Sequence, residues 1–96
     1  MVAREKFHAD SKGPPRRRLR IEQDPPVPPN SPPTYISGWT LFVDEIEADG
    51  TERQAWDWWE ETFERALMHV PDYAPNDIAW RRISTGEVVD IYKLKL

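Results

Sequence analysis

The chain has 96 residues, a mass of 11.3 kDa, ten prolines, five tryptophans, no cysteine and a formal charge of −4 at pH 7. This length allows one small domain, and the lack of cysteine excludes a disulfide scaffold, a cysteine nucleophile and the common zinc sites. No apolar run reaches the length of about eighteen residues that a transmembrane helix needs.

Charge and proline content divide the chain after Pro33. Residues 1–33 hold eight of the ten prolines with seven basic and four acidic residues, hence a net charge of +3. Residues 34–96 hold ten of the eleven aromatic residues with six basic and thirteen acidic residues, hence −7. We therefore expect an extended basic arm over residues 1–33 and a compact domain over residues 34–96 that folds without it.

The expected arm combines a cluster of arginines with a proline-rich stretch. Proline fixes φ and removes a backbone donor, so such stretches favour extended polyproline-II geometry. Arginine forms bidentate contacts with carboxylates, and we expect the arm to lie along neighbouring protein subunits. The alternative is a disordered tail that only adds solubility. The candidate partner-binding residues of the arm are Arg16, Arg17, Arg18, Arg20, Pro25, Pro26, Pro28 and Pro29.

The first element of the domain is a predicted strand over residues 39–46, which are rich in β-forming side chains. Alternation places Trp39, Leu41 and Val43 on one face. Because apolar residues also occur on the other face, the pattern favours a central strand or one covered on both sides. The dipeptide Asp49-Gly50 then indicates a turn.

A long helix is predicted to follow, over residues 51–69. Thr51 and Gln54 have the spacing of a capping box, and no proline or glycine interrupts the chain before Pro71. On a helical projection seven apolar side chains share one arc, which we expect to pack on a sheet. These side chains are Ala55, Trp56, Trp59, Phe63, Ala66, Leu67 and Val70.

Trp58 falls outside the apolar arc of the predicted helix. It either covers a loop or the arm, or it is an exposed anchor for another protein. Arg65 falls on the same side of the helix, and we include Trp58 and Arg65 among the candidate partner-binding residues. Beside the arc lies an acidic ridge, typical of a solvated face, that consists of Asp57, Glu60, Glu61 and Glu64.

A hairpin is predicted over residues 78–96, around Thr85-Gly86. A two-residue loop pairs Trp80 with Ile91, whereas a three-residue loop with a bulge at Gly86 pairs Trp80 with Asp90. We prefer the bulged form because it gathers apolar residues on one face. The expected fold class is α+β: a small three-stranded antiparallel sheet with one packed helix, in the order β-α-β-β, preceded by the extended arm.

Motifs for catalysis, cofactors and metals are absent from the sequence. Its two histidines, His8 and His69, fall in the arm and at the end of the predicted helix, and the acidic ridge projects from a convex surface. The four glycines form no phosphate-binding loop, and no calcium-binding loop is present. We therefore expect no enzymatic activity, no cofactor and no bound metal.

These features favour a non-enzymatic protein-interaction or assembly subunit whose domain docks on a larger complex, with a virion capsid or tail as one setting. One alternative is a nucleic-acid-binding accessory protein that contacts phosphates through the arginine arm alone, and another is a small inhibitor of a host protein. We expect no membrane partner and no small-molecule substrate. The first residues lack the apolar core of a signal peptide, so we expect a location in the cytoplasm or within a virion or other large assembly.

Overall fold

Residues 4–96, which the computed structural model describes, form a six-stranded antiparallel sheet with one short helix. The order across the sheet is β4-β3-β2-β1-β5-β6. The helix α1 is Phe63–Leu67, and single 3-10 turns lie at Val70–Asp72 and Ile91–Lys93. The strands are β1 (Lys6–Ser11), β2 (Arg17–Gln23), β3 (Trp39–Ile46), β4 (Glu52–Glu60), β5 (Trp80–Arg82) and β6 (Val88–Val89).

The first four strands follow one another as hairpins, each pairing with the next. After β4 the chain passes through α1 and returns to the far side of β1, where β5 pairs with it. Strands β1 and β2 therefore lie inside the sheet, and the fold is a small α+β architecture in which the sheet predominates.

One face of the sheet is covered by α1 and the 3-10 turns and holds the core. Side chains alternate between faces along a strand, and Phe7, Ala9, Leu19 and Ile21 of β1 and β2 are at most 2% exposed on this face. The ring of Phe63 in α1 lies 5.8 Å from Phe7. The other buried apolar residues are Trp39, Leu41, Val43, Ala66, Leu67, Val70, Ala74, Trp80 and Ile91.

The opposite face of the sheet carries charged side chains in ion pairs within and between strands. The Arg18 Nε donates to Asp10 Oδ1 over 2.8 Å, a hydrogen bond that raises the pKa of Arg18. Arg20 contacts Glu22 at 3.1 Å and lies 3.5 Å from Asp44. Each of these pairs is partly exposed and therefore contributes little to stability. The charged groups are solvated, and we call this side of the sheet the open face.

The expected three-stranded sheet with one packed helix and a preceding arm is wrong. Strands β1 and β2 come from the segment predicted as an arm, and strands from both sides of Pro33 share one sheet. In β2, Leu19 and Ile21 alternate with Arg18 and Arg20, which is the pattern of a half-buried strand. The prolines before Pro33 lie in the loops that join these strands and do not interrupt them.

The long helix predicted over residues 51–69 is also wrong, because residues 52–60 form β4. Asp49-Gly50 is the tip of a hairpin between β3 and β4, where Gly50 has a φ of +89° and the Glu47 N–H donates to the Thr51 carbonyl over 2.8 Å. Pairing with β3 gives β4 its backbone hydrogen bonds, and these outweigh a helical periodicity that the same residues also satisfy.

Helix α1 begins at Phe63 and not at residue 51, more than three turns later than the sequence predicts, and it is only five residues long. Its N-cap is Thr62, whose hydroxyl oxygen accepts a hydrogen bond from the Arg65 N–H over 3.2 Å. The apolar arc predicted for the long helix is buried only in its second half, at Phe63, Ala66, Leu67 and Val70.

Two other strand predictions fare better. The strand over residues 39–46 is confirmed as β3, which lies between β2 and β4. The C-terminal hairpin forms with Gly86 at a φ of +74°, but its register differs from both alternatives, because Trp80 pairs with Val89. After Asp90 the chain turns, and a 3-10 turn replaces the rest of the predicted strand.

Candidate functional site

Strand β4 forms the longer outer edge of the sheet. It has nine residues and pairs with β3 on one side, and no strand among residues 4–96 pairs with its other side. The opposite edge strand, β6, has only two residues. An outer strand presents backbone N–H and C=O groups that another chain can pair with. The outer side of β4 is therefore the main surface of this sheet for such pairing.

Three tryptophans of β4 are partly exposed, and they point to both faces of the sheet. Trp56 pairs with the core residue Val43 and lies on the covered side together with Trp58, whereas Trp59 pairs with Thr40 on the open face. Their relative exposures are 37%, 41% and 49% for Trp56, Trp58 and Trp59. A partner strand beside β4 would thus contact indole rings on both of its own faces.

Trp56 is held by an aromatic ring and a cation. Its ring centroid lies 5.1 Å from that of Tyr73, and the Arg17 guanidinium carbon lies 5.2 Å from the Trp56 ring and 5.7 Å from the Tyr73 ring. Arg17 Nη1 also donates to the Tyr73 carbonyl over 3.1 Å. These contacts restrict the rotamer of Trp56 although more than a third of the residue is exposed.

Trp58 is fixed by a hydrogen bond and a stacked ring. Its Nε1 donates to the Tyr73 hydroxyl oxygen over 2.6 Å, and its ring stacks on His69 with centroids 4.8 Å apart and planes 9° apart. The His69 Nε2 in turn lies 2.7 Å from a carboxylate oxygen of Glu60. His69, which the sequence places at the end of a predicted helix, instead stacks on Trp58 of β4.

Trp59 is anchored on the open face by Asp24, which follows β2. Asp24 Oδ2 accepts hydrogen bonds from Trp59 Nε1 over 2.7 Å and from the Gly38 N–H over 3.0 Å. Asp24 Oδ1 lies 3.4 Å from the Thr40 hydroxyl, which donates to it. A Cβ on Gly38 would lie 2.3 Å from the Glu60 carbonyl oxygen, so only glycine permits this close approach of β3 to β4.

The anchoring of Trp59 predicts that Asp24→Ala lowers the free energy of unfolding by about 1–3 kcal/mol, since the substitution leaves partly buried donors without an acceptor. The quantity to measure is the midpoint of urea unfolding. Asp77→Ala is the matched control, because Asp77 is exposed and makes no side-chain hydrogen bond within residues 4–96, and we expect a change within about 0.5 kcal/mol there. Equal losses for the two variants would contradict the anchoring role.

The four arginines predicted to bind partners do not form one surface. Arg18 and Arg20 lie on the open face in ion pairs with neighbouring carboxylates, and Arg17 points to the other face and packs on Trp56. Arg16 is exposed in the loop before β2 and forms no ion pair within the described residues. The structure thus brings only Arg17 to the tryptophans of β4.

The predicted proline residues lie close to the same edge. Pro25, Pro26, Pro28 and Pro29 are exposed in the loop between β2 and β3. The first three of them line a groove of about 580 Å³ beside Trp59. The other apolar residues of this groove are Val27, Tyr35 and Ile36. Arg65, the last predicted residue, is exposed in α1.

Several carboxylates lie on β4 and on the residues that come after it. Asp57, Glu61 and Glu64 are exposed and form no ion pair within residues 4–96. Asp57 pairs with Phe42 and so lies on the open face, while Glu61 and Glu64 come after the end of β4. Glu60, the fourth member of the predicted acidic ridge, bonds to His69. The four residues of the predicted ridge thus lie on an edge strand, in the turn that follows it and in α1.

Two further properties concern metals and membranes. Among residues 4–96 no group of three or more histidine or carboxylate side chains is arranged to hold a metal ion. In the same part of the chain no helix has the length and apolar character to cross a membrane.

Sequence reasoning assigned no partner-binding role to several residues of this site. A signal for β4 was present, because Trp56 and Trp58 alternate with Asp57 at the period of a strand. Asp24 and Tyr73 carried no local signal, because Asp24 is 35 residues from Trp59 in the chain and Tyr73 is 15 residues from Trp58. Contacts of that range become visible only in the folded chain.

Comparison of the chain with models of protein families, with curated proteins and with solved structures gives no match.

Proposed function

We propose that the protein is a non-enzymatic interaction subunit that docks on a larger assembly by accepting an extended segment of a partner protein along β4. The observation that carries this proposal is the nine-residue outer edge of β4 with three partly exposed tryptophans. Strand addition of this kind derives affinity from main-chain hydrogen bonds and specificity from alternate side chains.

The edge of β4 lacks two of the usual protections against pairing, namely short length and proline. Natural edge strands are often short or contain proline, whereas β4 is the longest strand in the sheet and contains no proline. A bulge at Ala55 interrupts its pairing with β3, but residues 56–60 follow in regular register. The three tryptophans lie in this regular part.

The tryptophans of β4 suit a binding surface because they are oriented before a partner arrives. Tryptophan is enriched among the residues that dominate binding energy, and side chains that are already restricted lose less entropy on association. The indole N–H groups of Trp58 and Trp59 have acceptors in Tyr73 and Asp24. A partner can therefore cover these rings without leaving a buried donor unpaired.

The geometry does not favour the nucleic-acid alternative. Phosphate binding needs arginines that project together into solvent. Here Arg18 and Arg20 are engaged by carboxylates, and Arg17 packs against the rings of Trp56 and Tyr73. Only Arg16 of the cluster is both exposed and without an ion pair in the part of the chain described.

To test the proposal, peptides of about nine residues, the length of β4, are selected from a displayed random library against the full chain, and their dissociation constants are measured. We expect the double substitution Trp56→Ser with Trp58→Ser to raise the dissociation constant at least about 30-fold, because central tryptophans of interfaces each contribute about 2 kcal/mol or more. We also expect bound peptide to slow amide exchange in β4.

Tyr92→Ser is the control for that measurement, since Tyr92 is a half-exposed aromatic residue near the opposite edge of the sheet. Its effect on the dissociation constant is expected to stay within about twofold. Selected peptides that bind the double variant as tightly as the original chain, or that slow exchange in β6 and not in β4, would show that β4 is not the docking edge.

A further inference from the structure

We infer that the segment accepted by β4 is basic, with lysine or arginine at alternate positions, and that it belongs to a different protein and not to a second copy of this chain. This inference rests on the docking function proposed above and specifies the partner's chemistry. Its basis is the distribution of compensated and uncompensated charge around β4.

The carboxylates near β4 divide into two groups. Glu52 forms an ion pair with Arg18, and a carboxylate oxygen of Glu60 lies in hydrogen-bond contact with His69, so both carboxylates have a partner within the chain. Asp57, Glu61 and Glu64 are exposed and form no ion pair within residues 4–96. Three negative charges without an ion pair in the described chain thus lie on the outer strand, in the turn directly after it and in α1. A cationic partner gains from this field in both association rate and specificity.

The tryptophans of β4 add a second attraction for cations. A guanidinium or ammonium group binds the face of an indole ring, and Arg17 already uses Trp56 in this way at 5.2 Å. Trp59 lies on the same face of the sheet as Asp57. A lysine or arginine opposite Asp57 can therefore approach a carboxylate and an indole ring together.

The alternation of β4 also specifies the partner's pattern. Residues of the partner strand on the open face meet the carboxylate of Asp57 and the ring of Trp59, whereas the residues between them face Trp56 and Trp58 on the covered side. The matching segment alternates basic residues with apolar ones. Such a segment has the period of a strand and is suited to pairing with β4.

A second copy of the chain is a poor occupant of this edge. Residues 52–64 contain five carboxylates and one arginine, so self-pairing would bring two acidic segments together. Antiparallel pairing about a two-fold axis at Asp57 would place two carboxylates directly opposite each other, which is destabilising. The charge of β4 thus disfavours self-association and favours a basic partner.

The test uses three synthetic peptides of about nine residues that alternate valine with lysine, with serine or with glutamate, titrated into the full chain. Tryptophan fluorescence reports binding, because three of the five tryptophans lie on β4 and are partly exposed. We expect the lysine peptide to bind at least about tenfold more tightly than the serine peptide and the glutamate peptide to bind most weakly. Raising salt from about 50 mM to about 500 mM should remove most of that preference.

Reversing two of these charges tests whether the preference for the lysine peptide arises at β4. In the variant Asp57→Lys with Glu61→Lys we expect the order to reverse, so that the glutamate peptide binds more tightly than the lysine peptide. Glu87→Lys is a control at a distant position, because Glu87 is an exposed carboxylate without an ion pair in the described chain and lies in the turn between β5 and β6. It is expected to leave the order unchanged.

The outcomes separate this inference from the function on which it rests. Equal binding of the lysine and serine peptides, with slowed amide exchange in β4, would overturn the basic partner and leave strand addition intact. Failure of all three peptides to protect β4 would contradict strand addition itself. If sedimentation showed a dimer that Trp56→Ser abolishes, the segment accepted by β4 would belong to a second copy of this chain and not to a basic partner.

Discussion

A chain that begins at residue 34 is expected to be unfolded. The truncation removes β1 and β2, which are interior strands, and with them the buried residues Phe7, Ala9, Leu19 and Ile21. Strand β5 then has no neighbour except β6, because its other partner is β1. The remaining residues cannot bury enough apolar surface to offset the conformational entropy of folding.

Circular dichroism and thermal unfolding measure this outcome directly. The full chain should unfold cooperatively, and the truncated chain should show no transition and the emission of solvent-exposed tryptophan. As a control within residues 1–33, Val27→Ala changes an exposed loop residue and should alter the free energy of unfolding by no more than about 0.5 kcal/mol. A cooperative transition in the truncated chain would support the domain boundary at Pro33 that composition predicts.

The substitution Phe63→Ala is expected to lower the free energy of unfolding by about 3–5 kcal/mol, the range for loss of a fully buried phenylalanine. Phe63 is 1% exposed, and its ring lies 5.8 Å from Phe7 and 4.9 Å from Trp39. It joins α1 to the sheet at both β1 and β3. A domain of this size has about 5–15 kcal/mol of stability in total, so the loss is a large part of it.

Urea unfolding provides the measurement for Phe63→Ala, with a lower midpoint and an unchanged slope as the expected result. The melting temperature should fall by roughly 12–40 °C. Met68→Ala is the matched control, because Met68 follows the same helix and is 76% exposed. If the two variants lost similar stability, the packing of α1 on the sheet would not be what stabilises this core.

The position of β4 shows why part of the fold escaped sequence reasoning. Trp56 and Trp59 are spaced for a helix face, while Trp56 and Trp58 are spaced for a strand face, so the residues satisfy both periods. Thr51 and Gln54 favoured the helix. The hairpin at Asp49-Gly50 decided for the strand, because it returns the chain beside β3, where backbone pairing is available.

Because residues 52–60 form a strand and not a helix, the interpretation of the candidate site also changes. On a helix the ridge of Asp57, Glu61 and Glu64 would be a solvated convex surface, and Trp58 would lie apart from Trp56. On β4 the two tryptophans share one side, and Asp57 lies on a strand whose outer edge is unpaired within the described residues. Trp58 was identified from sequence as a partner-binding candidate, and that role stays a prediction.

The sequence by itself determined the local features of this protein: β3, the turns at Gly50 and Gly86, and a small α+β class without cysteine-based chemistry. Only the tertiary structure decided which segments pair. Leu19 and Ile21 become core residues because β2 finds β1 and β3, and Asp24 becomes an anchor because the fold brings Trp59 to it. Backbone pairing and burial between distant segments contribute free energy that no local pattern contains, and they override local propensity where the two disagree.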